Sequence, residues 1–146
     1  TLLPKKYWDQ LRKESYEKAN HKCEICGDTG KNQGYRHNVE CHEIWDYDGV
    51  FKVQILKGLI SLCPKCHQVK HFGRTSAIGK QPEAFKHLEK VNNWNHRDCV
   101  NHLKEVMRQW MDRSKYKWHI DLSLLNEKYK IPKKLITEAQ KKRKKS

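Results

Sequence analysis

One segment decides how this chain folds: residues 62–71, with the sequence LCPKCHQVKH. It carries four side chains of metal-binding type: Cys63, Cys66, His67 and His71. Pro64 suits the first position of a helix, and Gly73 suits the position just past a helix end. The pattern predicts a helix of about three turns between them, which is too short to be stable without outside support.

A second Cys-x-x-Cys pair, Cys23 and Cys26, can supply that support. Each pair can hold one side of a tetrahedral zinc ion, and two pairs together complete its coordination shell. Because such a shell leaves no position open for water, we expect a structural Zn²⁺ rather than a catalytic one. Redox-active pairs or disulfides are the alternatives. The two remaining cysteines, Cys41 and Cys99, receive no role.

The rest of the chain predicts an α+β fold. Two strands, 39–47 and 50–56, flank the tight-turn dipeptide Asp48-Gly49 and should form a hairpin. Helical patterns cover 4–20, 82–91 and 96–113, and an alternating segment at 118–124 predicts a short strand.

We therefore divide the chain into four parts: an N-terminal helix (1–22), a core (23–73), C-terminal helices with a short strand (74–125), and a basic tail (126–146). Within the tail, the run from Lys141 to Lys145 is expected to be disordered in isolation. The helix over 96–113 carries an apolar stripe that contains Met107 and Trp110. A stripe at this spacing is expected to pack into the core.

Charge indicates the kind of partner. The chain has 31 Lys and Arg against 17 Asp and Glu, a formal net charge of +14. Such an excess favours a polyanion, since phosphate contacts release condensed counterions. No stretch has the roughly 18 apolar residues of a membrane span, and the first 18 residues do not look like a signal peptide. We expect a cytoplasmic protein with no membrane partner, in which cysteines indicate metal before disulfides.

A second metal site is predicted from histidines. His67 and His71 stand four residues apart, so they share one face of the short helix. His42 lies on the first hairpin strand, which should return over that helix. Three imidazoles, or two with a carboxylate, leave positions open for water and a phosphate oxygen.

Taken together, these residues resemble the HNH endonuclease family, and best its zinc-knuckle branch among small bacterial and phage proteins. We call the two Cys-x-x-Cys pairs knuckles, the first being Cys23 and Cys26 and the second Cys63 and Cys66. The similarity rests on the first knuckle, on Glu40 to Asp46 in the hairpin, and on 58–73, and so covers about half of the chain. It implies a ββα-metal (His-Me finger) core stapled by the four-cysteine zinc site, between flanking helices. It also implies hydrolysis of phosphodiester bonds in nucleic acid, DNA in preference to RNA, inside a bacterial or phage-infected cell.

The resemblance assigns His67 and His71 as ligands of a catalytic divalent ion, which could be Mg²⁺, Mn²⁺, Ni²⁺ or Zn²⁺. Two alignments of the strand remain open. In the first, His42 is a third ligand and Glu43 the general base; in the second, Cys41 is the ligand and His42 the base. Regular strand alternation would turn Glu43 away from His42, so the first alignment needs a bulge or a strand end.

The middle Asn of the family motif falls at Gly58, which leaves open an altered loop or an inactive enzyme. The basic residues around the site are expected to hold the nucleic-acid backbone: Lys65, Lys70 and Arg74. Two alternative functions follow from the Gly58 departure and from the C-terminal helices. One is a non-catalytic zinc module that binds nucleic acid, and the other is a protein that blocks a host defence. A protein partner and the oligomeric state stay open.

Overall fold

A computed structural model describes residues 2–144, so Thr1, Lys145 and Ser146, the outermost residues of the first and last predicted parts, lie outside the described residues. The fold is α+β, as predicted. Its strands are β1 (Glu40–Asp48), β2 (Val53–Leu62) and β3 (His119–Asp121). Its helices are α1 (Lys5–Lys18), α2 (Pro64–Lys70), α3 (Phe72–Ala77), α4 (Gln81–Asn92), α5 (His96–Ser114), α6 (Ser123–Glu127) and α7 (Lys133–Lys144).

The three strands form one sheet in the order β1-β2-β3. The hairpin of β1 and β2 is antiparallel and β3 joins β2 in parallel. In this register His42 stands opposite Ile60 and Glu43 opposite Leu59. Neighbouring residues of a strand point to opposite faces, so these two pairs lie on different sides of the sheet.

The hairpin turn is longer than the predicted Asp48-Gly49 dipeptide. Asp48 Oδ1 accepts hydrogen bonds from the backbone N–H groups of Val50 (2.9 Å) and Phe51 (3.0 Å). Lys52 closes the turn in a left-handed conformation (φ 55°). Because the Asp48 carboxylate organises four residues, 49–52, β2 begins at 53 rather than 50.

One face of the sheet carries the main hydrophobic core. Helices α1, α6 and α7 contribute to this core, and its buried side chains include Leu11, Leu56, Ile120, Leu125, Ile131, Ile136 and Ala139. The segment 126–146, predicted only as a basic tail, therefore contributes to the core, and residues 141–144 of the run expected to be disordered lie in α7. Basic composition hid these apolar positions: residue 131 is buried just before α7, and residues 136 and 139 place one face of α7 in this core.

The other face of the sheet meets α2, and α4 packs beside α2. A second, smaller cluster lies here, built from the four knuckle cysteines, of which only Cys26 is half-buried, together with Leu62, Ile60 and Val91. Gly73 does not end a helix as predicted. It lies within α3, and Gly79, in a left-handed conformation (φ 80°), follows that helix instead.

The apolar stripe of α5 is also placed differently from the prediction. Val106, Met107, Trp110 and Met111 are 44–64% exposed, whereas Cys99 near the start of the helix is fully buried. Helix α5 packs against α4, but that packing does not cover these four side chains, so they remain on the surface. Within residues 2–144, every helix is too short or too polar to cross a bilayer.

The fold predicts how much stability is lost when a side chain of the main core is truncated. Ile131 is 1% exposed, and Ile131→Ala should lower the free energy of unfolding by about 2–5 kcal/mol, through lost burial and the cavity left behind. Urea denaturation followed by circular dichroism measures this. Ile78→Ala is the matched control, since Ile78 is 61% exposed and should cost little. Equal effects of the two substitutions would contradict the burial of the segment that leads into α7.

Candidate metal centres

The two knuckles meet as predicted. Four cysteine sulfurs lie within 4.8 Å of one another: Cys23, Cys26, Cys63 and Cys66. The first pair follows α1, and the second pair spans the last residue before α2 and its first turn. Cys26 Sγ lies 3.6 Å from Cys63 Sγ, well beyond the roughly 2 Å of a disulfide, and all six cysteines, which lie within the described residues, are free.

Backbone groups point at these sulfurs. The N–H of Cys26 donates to Cys23 Sγ (3.5 Å), and the N–H of Cys66 donates to Cys63 Sγ (3.4 Å). Each knuckle thus offers a hydrogen bond that favours a thiolate in its first cysteine. The donor set and its burial are compatible with a structural metal ion such as zinc.

The thiols also influence one another. Hydrogen bonds from Cys63 and Cys66 lower the pKa of Cys23, whereas the bond to Cys23 raises the pKa of Cys66. Burial raises the pKa of Cys26 to about 11. Ionisation of one thiol therefore makes ionisation of its neighbours less favourable. A divalent cation among the four sulfurs would offset this repulsion between thiolates.

A fifth residue at the cluster was missed by the sequence analysis. His87 on α4 brings Nε2 to 3.0 Å from Cys66 Sγ. An imidazole N–H in this position supports a metal-bound thiolate from outside its coordination shell. No motif marked His87, because it stands 21 residues from Cys66 on a helix whose packing the sequence does not specify.

Hydrogen bonds fix the first knuckle to the end of β2. The N–H of Glu24 donates to the Ser61 carbonyl (2.9 Å), and the Ser61 N–H donates to the Glu24 carboxylate (2.6 Å). The Ser61 hydroxyl also bonds the Ser15 hydroxyl (2.8 Å), which links α1 to the same point.

Gly30 must lack a side chain, because a Cβ there would lie 2.0 Å from the His37 carbonyl oxygen.

The first metal test concerns the cluster. Cys63→Ser should remove one equivalent of bound zinc and lower thermal stability, because the thiolate ligand is lost and two elements are released. Zinc content by mass spectrometry and unfolding by circular dichroism measure both effects. Cys99→Ala provides the control, since Cys99 is buried outside the cluster and should keep the full zinc content. Undiminished zinc in Cys63→Ser would refute the site.

The three predicted histidines also converge. Ligand nitrogens of His42, His67 and His71 lie within 4.8 Å of one another, and His67 Nε2 is 3.0 Å from His71 Nε2. Ring centroids are 4.6–5.2 Å apart and every pair meets edge to face. We call these three residues the histidine trio.

Burial favours the uncharged form of two of the three rings. It lowers the pKa of His42 to about 4, and the neighbouring imidazoles of His67 and His71 act in the same direction. Burial also lowers the pKa of His71. Nδ1 of His42 is buried and has no hydrogen-bond partner among the described residues, which is costly for a polar atom. Neutral imidazoles with an unpartnered nitrogen fit a metal-binding donor set.

Glu40 orients one member of the trio, His67, a role that the sequence analysis did not assign. The Nδ1–H of His67 donates to Glu40 Oε2 (3.1 Å), and this hydrogen bond lowers the pKa of the carboxyl. A carboxylate only accepts, so Nδ1 of His67 carries the proton and, in the neutral ring, Nε2 keeps its lone pair toward the other rings. The period of two along β1 could have found Glu40, because it shares a face with His42.

Glu43, the predicted base, is not brought to the trio. It lines an apolar pocket with Leu11 and Trp45 on the opposite face of the sheet. The register shift of the hairpin is one extra residue in β2, so β1 keeps its regular alternation. The charge of Glu43 still raises the pKa of His42, but burial outweighs it.

The second alignment requires Cys41 as a metal ligand beside the trio, but Cys41 lies on the same face of the sheet as Glu43 and so points away from the trio. There it lies beside α1, where Ser15 bonds its thiol and burial raises its pKa to about 11. Gly58 stands opposite Ile44, on the face of His42. A Cβ at 58 would meet only Ile44 Cδ1 at 3.8 Å, an ordinary contact, so the strand itself does not require a glycine.

Two of the three predicted basic residues adjoin the trio. Lys70 and Arg74 line a groove together with His71. The charge of Lys70 helps to lower the pKa of His42, and that of Arg74 helps to lower the pKa of His71. Lys65 is exposed near the start of α2, where its backbone N–H donates to Gln33 (3.4 Å).

Comparison of the chain with protein-family models, with curated proteins and with solved structures gives no match. The resemblance to the HNH family therefore rests on the residues quoted above.

A second test concerns Glu40. Glu40→Ala should weaken binding of Ni²⁺ or Mn²⁺ at the trio by about 10–100-fold, because His67 loses the partner that sets its tautomer and orientation. Isothermal titration calorimetry on protein already loaded with zinc measures this. Glu43→Ala, on the opposite face, is the matched control and should leave the affinity within error. An equal loss in both variants would argue against the described orientation of His67.

Proposed function

We propose that this protein is a metal-dependent HNH-type endonuclease that hydrolyses phosphodiester bonds in nucleic acid. The observation that carries the proposal is the convergence of three imidazoles beside a tetracysteine cluster, with cationic side chains next to them. We further propose that β1, β2 and α2 are the ββα-metal core implied by the sequence, with zinc at the cysteines as its staple.

In this proposal the three imidazoles of the trio hold one divalent ion. When bound, the ion would supply Lewis acidity toward the phosphate and would lower the pKa of a water molecule. Magnesium, manganese, nickel and zinc all remain compatible with the site, because affinity alone does not select among them.

The protein's own groups have separate parts. His42, His67 and His71 each present a ring nitrogen, and Glu40 holds His67 in the tautomer whose free Nε2 faces the other rings. Lys70 and Arg74 hold the phosphate backbone beside His71. The half-buried position of His42 excludes water on one side, and His71 is exposed, which leaves an approach for the substrate.

Cleavage of supercoiled plasmid and of labelled oligonucleotides, with each divalent ion in turn, tests the proposal. His42→Ala and His67→Ala should each lower the rate by at least about 100-fold, as expected for loss of a group essential to the reaction. His119→Ala is the matched control, because His119 is an exposed histidine on β3 outside the trio. Cleavage that persists in both trio variants would overturn the proposal.

The same variants separate two roles for His42. As a ligand, His42 is needed for metal binding, so His42→Ala should lose both cleavage and affinity for Ni²⁺ or Mn²⁺. As a base it would leave that affinity intact. Calorimetry alongside the cleavage assay distinguishes the two, and the ligand result is expected, because Nδ1 of His42 is buried without a partner among the described residues.

The placement of Glu43 favours one alternative function, a zinc-containing module that binds nucleic acid without cutting it. No carboxylate other than Glu40 bonds the trio among the described residues, and Glu40 is engaged by His67 and His37. Tight binding without cleavage, in every ion tried, would establish this alternative.

A further inference from the structure

A groove of about 390 Å³ leads from the trio to α5. One wall is formed by residues 69–74, from the end of α2 into α3, and it includes His71 of the trio. The other wall is the face of α5 with Met107 and Trp110. The groove is therefore continuous with the proposed cleavage site.

The chemistry of the groove is both aromatic and cationic. Trp110 is 64% exposed and Met107 45% exposed, so an indole and a thioether face solvent there. Lys70 and Arg74 stand on the opposite wall, and none of the described residues that line the groove is acidic. Side chains of these two kinds, aromatic for the bases and cationic for the backbone, are how proteins bind nucleic acid whose bases are unpaired.

Paired bases do not suit this arrangement. In a duplex, each base is stacked between its neighbours and presents only its edges, so Trp110 could meet a base face only after the base had left the stack. An unpaired strand offers such a face without the cost of breaking base pairs. We propose that the groove seats an unpaired nucleobase beside the phosphate held at the trio, and that the substrate class is single-stranded nucleic acid.

Charge also selects this occupant over a second copy of the chain. A second copy would bring another surface of a molecule with formal net charge +14 against Lys70 and Arg74. A nucleic-acid strand brings phosphates to those same cations. The inference rests on the proposed function for its cleavage step, but the binding that it predicts is measurable without cleavage.

The test uses the 146-residue chain and fluorescein-labelled oligothymidylate, with a mixed-sequence duplex of equal length as the comparison. Anisotropy is recorded without added divalent ion, so that no strand is cut. Trp110→Ala should weaken single-strand binding by about 5- to 150-fold, the range for losing one base–aromatic stack, and should leave duplex binding nearly unchanged. Trp110→Phe, which keeps an aromatic face, should restore most of the affinity.

A matched pair on the same helix provides the control. Met107 lines the groove and Met111, one turn later, does not. Met107→Ala should weaken single-strand binding, whereas Met111→Ala should not. Both residues are about half exposed, so neither substitution threatens the fold, and zinc content verifies this.

The outcomes separate the two proposals. Cleavage with no preference for single strands, or with no effect of Trp110→Ala, overturns the inference and leaves the nuclease standing. Single-strand binding that depends on Trp110, in the absence of cleavage with any ion, supports the groove and overturns the nuclease. A dimer in sedimentation that Trp110→Ala dissociates, with unchanged oligonucleotide binding, assigns the groove to self-association instead.

Discussion

The tetracysteine cluster is the constraint on which the other parts of this structure depend. It joins the loop after α1 to the start of α2, two segments 37 residues apart at Cys26 and Cys63. Helix α2 has seven residues and could not persist by itself. With its first turn fixed at Cys63 and Cys66, the helix has a defined direction, and that direction carries His67 and His71 to the hairpin. Because His67 and His71 follow these cysteines within about one helical turn, the cysteine cluster also fixes the position of two members of the histidine trio.

The sheet contributes the third imidazole of the trio, His42, by the alternation of side chains along β1. Along β1, Glu40 and His42 face α2, while Cys41 and Glu43 face the main core beside α1. Each face serves a different purpose: one orients imidazoles and the other covers apolar side chains. A single-residue slip of the hairpin register would exchange the two sets, which explains why the long β1–β2 pairing matters to the site.

Much of this could be predicted from local spacing. The paired Cys-x-x-Cys knuckles, the i, i+4 histidines and the hairpin were all visible in the sequence, because each depends on neighbours within one turn or one strand. What could not be predicted depends on tertiary contacts. His87 reaches Cys66 only because α4 packs beside α2, and Trp110 is exposed because the packing of α5 against α4 leaves it uncovered. The face of the sheet on which Glu43 lies depends on which strand contains the bulge. The bulge is in β2, so the alternation along β1 is regular and turns Glu43 away from the trio.

The segment after residue 126 shows how composition misleads when few apolar residues carry the signal. Lysines dominate α7, yet Ile136 and Ala139 are buried against the same core as Leu3 and Leu11 near the other end of the described chain. This has a consequence for synthesis. On the ribosome, the apolar side of α1 emerges long before α7 can cover it, whereas the cysteines and β2 are complete by Cys66. The part of the chain that holds the cysteine cluster can therefore fold first, while the apolar side of α1 stays exposed until α7 has been synthesised.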